Sequence, residues 1–174
     1  MIILCDIDNV VINTTEAVIA QYNEECNDNL VIDDVKSYWM EQYVKPEHRE
    51  NFFEFFLMKE TWKRAKAINV EAVQWLIDNH EVYFVTATQS DNVKKKSNFL
   101  KRTFKNIDVE DRLIKANHKE LVMGDIIIDD YPKNLETSPC AEKVCIAYPW
   151  NSDYNGERFS SVSEYILKRF GVQV

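Results

Sequence analysis

Four short, almost uninterrupted apolar runs punctuate the chain: residues 2–5 (IILC), 82–86 (VYFVT), 126–130 (IIIDD) and 143–148 (KVCIAY). Runs of this length without polar alternation predict strands buried on both faces. The segments between them carry apolar residues at helical spacing. Asn13 with Glu16 resembles a capping pair ahead of Ala17, Val18, Tyr22 and Cys26, and Asn69 precedes Val70, Val73, Leu76 and Ile77. Ser90 or Asp91 precedes Val93, Leu100 and Phe104, and Ser160 or Ser161 precedes Tyr165, Ile166 and Phe170; each is a helix start of the kind that small polar residues favour. Strands alternating with helices predict an α/β fold, a doubly wound parallel sheet of the Rossmann-like kind.

One stretch breaks the alternation. Roughly 75 residues separate the first two strands, where a crossover helix needs about 10–15. The excess, about 28–68, contains Val35, Tyr38, Trp39, Pro46, the run FFEFFLM at 52–58 and Trp62, all at helical spacing. It predicts a small helical cap inserted after the first strand and helix, with Asp33-Asp34 as a helix N-cap ahead of VKSYWM. No repeat or glycine/serine linker divides the chain, so residues 1–174 read as one domain: core about 1–27 and 69–174, cap about 28–68.

Composition narrows the function by exclusion. Net charge −8 disfavours a nucleic-acid polymer as partner, since that affinity comes mainly from lysine and arginine on phosphates. No apolar run reaches the roughly 18 residues that span a bilayer, and MIILCDIDN lacks the basic start of a signal peptide, so a cytoplasmic protein without a membrane partner is expected. Cysteines at 5, 26, 140 and 145 form no C-x-x-C, and His48, His80 and His118 are isolated; zinc and thiol-redox motifs are absent, and four reduced thiols are expected. Three glycines, at 124, 156 and 171, cannot build a glycine-rich nucleotide cradle. Any phosphate must be held another way.

Candidate chemistry sits at the strand ends. Asp6 and Asp8 form a D-x-D after the first strand, Asp129 and Asp130 end another, and Thr86 ends a third. With 13 aspartates in the chain about one D-x-D is expected by chance, so location carries the meaning: open α/β sheets bind ligands at the carboxyl ends of their strands. Four carboxylates converging there require compensating positive charge, and magnesium, an oxygen-seeking divalent ion, supplies it. Lys119, ten residues before Asp129, adds a fixed cation.

These residues resemble the haloacid dehalogenase superfamily of phosphohydrolases. The motifs are DIDNVV, VYFVTA and KELVMGDIIIDDYPKN; within the superfamily, IDDYPKNLE and W-N-x-x-Y-N-G-x-R-F resemble the 5'(3')-deoxyribonucleotidase group. The resemblance implies Asp6 as the nucleophile, Asp8 as general acid and base, and Thr86 and Lys119 as donors to the phosphoryl group. It implies magnesium held by Asp6, Asp130 and the backbone carbonyl of Asp8, with Asp129 acting through water or behind the ligands. Asn9 stands where the superfamily often has glycine, and Ala87 where some members have serine, which removes one hydroxyl from the phosphate-binding turn.

The implied partner is a small phosphorylated substrate, a nucleoside monophosphate. Phe52, Phe53, Phe55, Phe56 and Trp62 are the candidates for stacking on its base, worth about 1–3 kcal/mol per base. FF-x-FF covers too many helix directions for one pocket; Trp62 and Phe56 are taken as pocket residues, most of the rest as core. Lys94, Lys95, Lys96, Lys101, Arg102 and Lys105 predict a solvated basic helix face. A sugar phosphate as substrate, a phospholigand-binding protein without turnover, and a homodimer all stay open.

Overall fold

The computed structural model describes residues 1–174. Six strands form one sheet: β1 (Ile2–Cys5), β2 (Glu81–Thr86), β3 (Leu113–Lys115), β4 (Ile126–Asp129), β5 (Glu142–Ile146) and β6 (Arg158–Phe159), in the order β3-β2-β1-β4-β5-β6 and parallel throughout. The helices are α1 (Thr14–Cys26), α2 (Lys59–Arg64), α3 (Val70–Asn79), α4 (Ser90–Thr103), α5 (Val109–Arg112), α6 (Pro132–Thr137) and α7 (Val162–Phe170). The winding reverses between β1 and β4, and that switch point opens a crevice at the carboxyl ends of the two strands.

Alternation along each strand explains why the runs are apolar without a break. Ile3, Cys5, Phe84, Ile126 and Ile128 enter a core of 22 buried residues with α3 and α7. Their neighbours Leu4, Val85, Ile127 and Cys145 enter a second core with Leu135 and Cys140 on the opposite face. Successive residues point to opposite faces, so a strand covered on both sides has no position where water rewards a polar side chain. Gly124 leads into β4, and a Cβ there would sit 2.8 Å from Leu4 Cγ.

Some elements differ from expectation. β3, β6 and α6 have no counterpart in the predicted pattern; β3 and β6 span only three and two residues, too short to show a period. The 28–68 segment is helical but mostly not α-helical: it holds four 3-10 helices (Ile32–Asp34, Met40–Gln42, Pro46–His48, Phe52–Leu57) and the six-residue α2. Asp33-Asp34 caps no following helix. Both lie inside a turn, and Asp34 accepts from the Val31 backbone N–H at 3.2 Å. Packing rather than helical propensity organises this segment: Leu30, Val35, Met40, Val44, Phe52 and Phe55 bury themselves against Val18, Ile19 and Tyr22 of α1 and against Trp150.

Helix starts divide similarly. Ser161 caps α7, accepting from Glu164 N at 3.1 Å. Asn69 does not cap α3; it adopts a left-handed conformation, accepts from Val162 N at 3.2 Å and donates to Val10 O at 2.9 Å. All four cysteines are free thiols, and no helix is long and apolar enough to cross a membrane.

Candidate active site

Register brings the acidic strand ends together. Cys5 pairs with Ile128 and with Phe84, so Asp6 stands level with Asp129 and Thr86 stands one residue further out on β2. Asp6 N–H donates to Ile128 O at 2.9 Å. The carboxylates of Asp6, Asp129 and Asp130 offer oxygens that lie within 4.8 Å of one another, and all three residues are buried, at 7%, 0% and 2% exposure.

One cation answers this cluster. The Lys119 ammonium lies 2.7 Å from Asp6 Oδ1 and 2.7 Å from Asp129 Oδ2. Burial works against its charge, but the charges and hydrogen bonds of Asp129 and Asp6 outweigh that and hold its pKa above the usual lysine range. Asp129 is further fixed by Tyr131 N at 2.9 Å and Asn134 Nδ2 at 3.0 Å. Three carboxylates against one ammonium leave two uncompensated negative charges, and the consequence is visible in the acids. Burial raises Asp6 to about 7, Lys119 opposing and Asp129 and Asp8 adding to the rise; burial, then Asp129 and Asp6, raise Asp130 well above the carboxylate range. A buried, oxygen-only set lacking about two positive charges fits a hard divalent cation.

Asp8 is held apart from the cluster. Its carboxylate accepts from Thr14 Oγ1 at 2.6 Å and from the Lys96 ammonium, which also donates to Thr86 Oγ1 at 2.8 Å. Lys96 is a correction to the sequence reading: with 2% exposure it is no part of a solvated face. On α4 the buried positions are Asn92, Lys96 and Leu100, a stripe at i, i+4, i+8, and the spacing to Leu100 was the signal that could have found it. Lys94, Lys101, Arg102 and Lys105 are exposed as expected.

The turn between β1 and α1 aims these groups. Asn9 has φ 58°, the left-handed conformation that asparagine tolerates better than most residues. Its side chain accepts from Thr15 N at 3.0 Å and donates to Asp130 Oδ2 at 3.1 Å, and its carbonyl accepts from Tyr148 OH at 2.8 Å. A glycine would permit the turn but supply none of the side-chain bonds. Trp150 Nε1 donates to the same Asp130 oxygen at 3.1 Å, and its ring stacks on Tyr148 with centroids 4.4 Å apart. Neither Tyr148 nor Trp150 carried a role in the sequence reading.

A cavity of about 230 Å³ opens beside Asp8, lined by Thr14, Ala87, Thr88 and Lys96 and by the rings of Tyr38, Phe53, Phe56 and Trp62. The FF-x-FF run is split by its tight turn: Phe52 and Phe55 are buried around Tyr22, while Phe53 and Phe56 face the cavity. Trp62 donates through Nε1 to Phe56 O at 3.0 Å. Ala87 is exposed at the cavity wall and the hydroxyl of Thr88 follows it.

A parallel sheet wound both ways from β1, with an acid cluster at its switch point, is the haloacid dehalogenase fold. Solved structures agree: a haloacid dehalogenase-like family hydrolase from Streptococcus pneumoniae superposes with TM-score 0.60 at 9% identity, covering 90% of this chain and 91% of that one. A haloacid dehalogenase phosphatase from Thermococcus onnurineus superposes with TM-score 0.58 at 15% identity, covering 99% of each chain. These likenesses show the fold; the sequence family that matches gives the class, a phosphoric monoester hydrolase.

The family model "5' nucleotidase, deoxy (Pyrimidine), cytosolic type C protein" matches residues 1–168, and the chain belongs to that family. A 5'(3')-deoxyribonucleotidase from Clostridium acetobutylicum is 29% identical over 133 residues, 75% of this chain and 73% of that protein.

Proposed function

We propose that this protein is a magnesium-dependent phosphatase of deoxyribonucleoside monophosphates that works through an aspartyl-phosphate. The observation that carries the reading is the charge imbalance at the switch point: three buried carboxylates, one ammonium, and a fourth carboxylate held separately beside the cavity.

Asp6, Asp130 and, behind them, Asp129 would hold the ion. Bound there, magnesium supplies charge neutralisation for Asp6 and for the phosphoryl oxygens. The rest falls to the chain itself. Asp6 attacks phosphorus and the ester P–O bond breaks, leaving phosphate on the Asp6 carboxylate and splitting hydrolysis into two displacements. Asp8 gives its proton to the departing alkoxide oxygen, then takes one from the water that attacks the aspartyl-phosphate and regenerates Asp6. Lys119 balances charge on Asp6 and the phosphoryl group, and the Thr86 hydroxyl, already accepting from Lys96, has its hydrogen free to donate to a phosphoryl oxygen.

Phe53, Phe56 and Trp62 give the leaving group an apolar wall on which a base can stack. The 28–68 segment acts as the cap over the core in this reading, since it supplies that wall. The name of the clostridial relative points to the same substrate class.

The test is phosphate release from a panel of deoxyribo- and ribonucleoside monophosphates and sugar phosphates, with magnesium and with chelator. Preference for deoxynucleotides, lost on chelation, is expected. Preference for sugar phosphates overturns the substrate, and equal rates with chelator overturn the metal.

A further inference from the structure

The 28–68 segment contributes a further aromatic side chain to the cavity, Tyr38. The ring of Tyr38 stacks on Tyr131, with centroids 3.7 Å apart and planes 19° from parallel. Tyr131 directly follows Asp129-Asp130, and its backbone N–H holds Asp129 Oδ1 at 2.9 Å. The stack therefore rests on the loop that carries two of the carboxylates. Tyr38 also lines the cavity with Asp8 and Asn9.

The residue as a whole is 43% exposed, and its stacked ring stands at the cavity beside Asp8 and the Asp129-Asp130 loop; burial, then the charges of Asp130, Asp6, Asp129 and Asp8, hold its pKa above the phenol range. It is a neutral O–H donor at any working pH. Its hydroxyl makes no hydrogen bond to another protein group, so the donor is uncommitted at the cavity where a phosphoryl group must enter. The other groups converging there are carboxylates, Lys119, Lys96 and Thr86; a dianion between carboxylates needs every donor available.

We propose that Tyr38 contacts the phosphate: its hydroxyl donates to a phosphoryl oxygen of the substrate, and the stack on Tyr131 holds it in position. The inference rests on the phosphatase reading and deepens it. The 28–68 segment then serves both ends of the substrate, Phe53, Phe56 and Trp62 at the leaving group and Tyr38 at the phosphate. A substrate without a base feels Tyr38 as strongly as a nucleotide does.

Tyr38→Phe keeps the ring and the stack and removes only the donor. A hydrogen bond to a charged group is worth enough that kcat/KM should fall about 10- to 100-fold, by the same factor for p-nitrophenyl phosphate and for a deoxynucleoside monophosphate. Binding of inorganic phosphate, measured by calorimetry with magnesium present, should weaken alongside. Tyr83→Phe, which removes a phenol that bonds only the exposed Glu81 outside the site, should match wild type. An unchanged Tyr38→Phe enzyme overturns the proposal, as does a loss confined to the nucleotide, which would make Tyr38 a base-contacting ring. Wild type that turns over neither substrate refutes the phosphatase reading instead; in that event the phosphate titrations of wild type and Tyr38→Phe still decide whether Tyr38 meets the anion.

Discussion

The ammonium of Lys96 donates to the hydroxyl of Thr86 at 2.8 Å while it pairs with the carboxylate of Asp8. A single buried cation from α4 thus aligns the end of β2 with Asp8, the proposed acid-base residue after β1. Lys96→Met removes that link and lets Asp8 turn from the cavity. Turnover should drop about 100-fold, the scale of a displacement of roughly 1 Å at a reacting group, with KM changed far less. Lys94→Met, at an exposed site on the same helix, should behave as wild type. Steady-state kinetics check both, and a Lys96→Met enzyme with normal kcat removes Asp8 from the mechanism.

Asp6→Asn removes the proposed nucleophile and one proposed metal ligand while Lys119 keeps Asp129 as a partner at 2.7 Å. The variant should melt cooperatively and show under about 1% of wild-type turnover, a loss of about 3 kcal/mol or more. Higher residual activity means another group attacks phosphorus.

The raised carboxyls make stability depend on pH in the metal-free protein. Asp6 titrates near 7 in the folded chain against about 3.9 unfolded, so the folded state holds the proton more tightly. That contribution is complete below about pH 4 and is lost as pH rises through 7; Asp130, shifted the same way, acts in the same direction. The melting temperature without metal should therefore fall between pH 5 and 8. Magnesium should restore it, and by more at pH 8 than at pH 5, because it binds the ionised form. Calorimetric scans at both pH values decide, and a magnesium effect that shrinks as pH rises contradicts the assignment of these acids as ligands.

Phe56 presents its ring to the cavity and its carbonyl to Trp62 Nε1. Phe56→Ala keeps the carbonyl and deletes the ring. KM for deoxynucleoside monophosphates should rise about 5- to 100-fold, the worth of one stacked base, while p-nitrophenyl phosphate is hydrolysed as before. An equal loss on both substrates would make Phe56 a packing residue of the 28–68 segment.

The chain's linear pattern was enough to state the parallel sheet and the main acidic tips. Uninterrupted runs such as IILC and IIIDD arise only where both faces of a strand are covered, and parallel strands place their following residues at one edge. Asp6, Asp8, Thr86, Asp129 and Asp130 could be named for that reason, and Lys119 from its place ten residues before Asp129. Tertiary structure decided the rest. Lys96 looked like one more lysine in a basic run, because exposure is set by the angle at which α4 lies on the sheet. The rings of FFEFFL sort into core and cavity through a 3-10 turn that helical spacing does not describe. Tyr38 meets Tyr131 from 93 positions away along the chain, Asn9 meets Asp130 across 121 positions and Tyr148 meets Asn9 across 139. Local sequence fixes which faces must be dry; which distant side chains share a charge is settled only when the elements pack, since burial and proximity are properties of the whole fold.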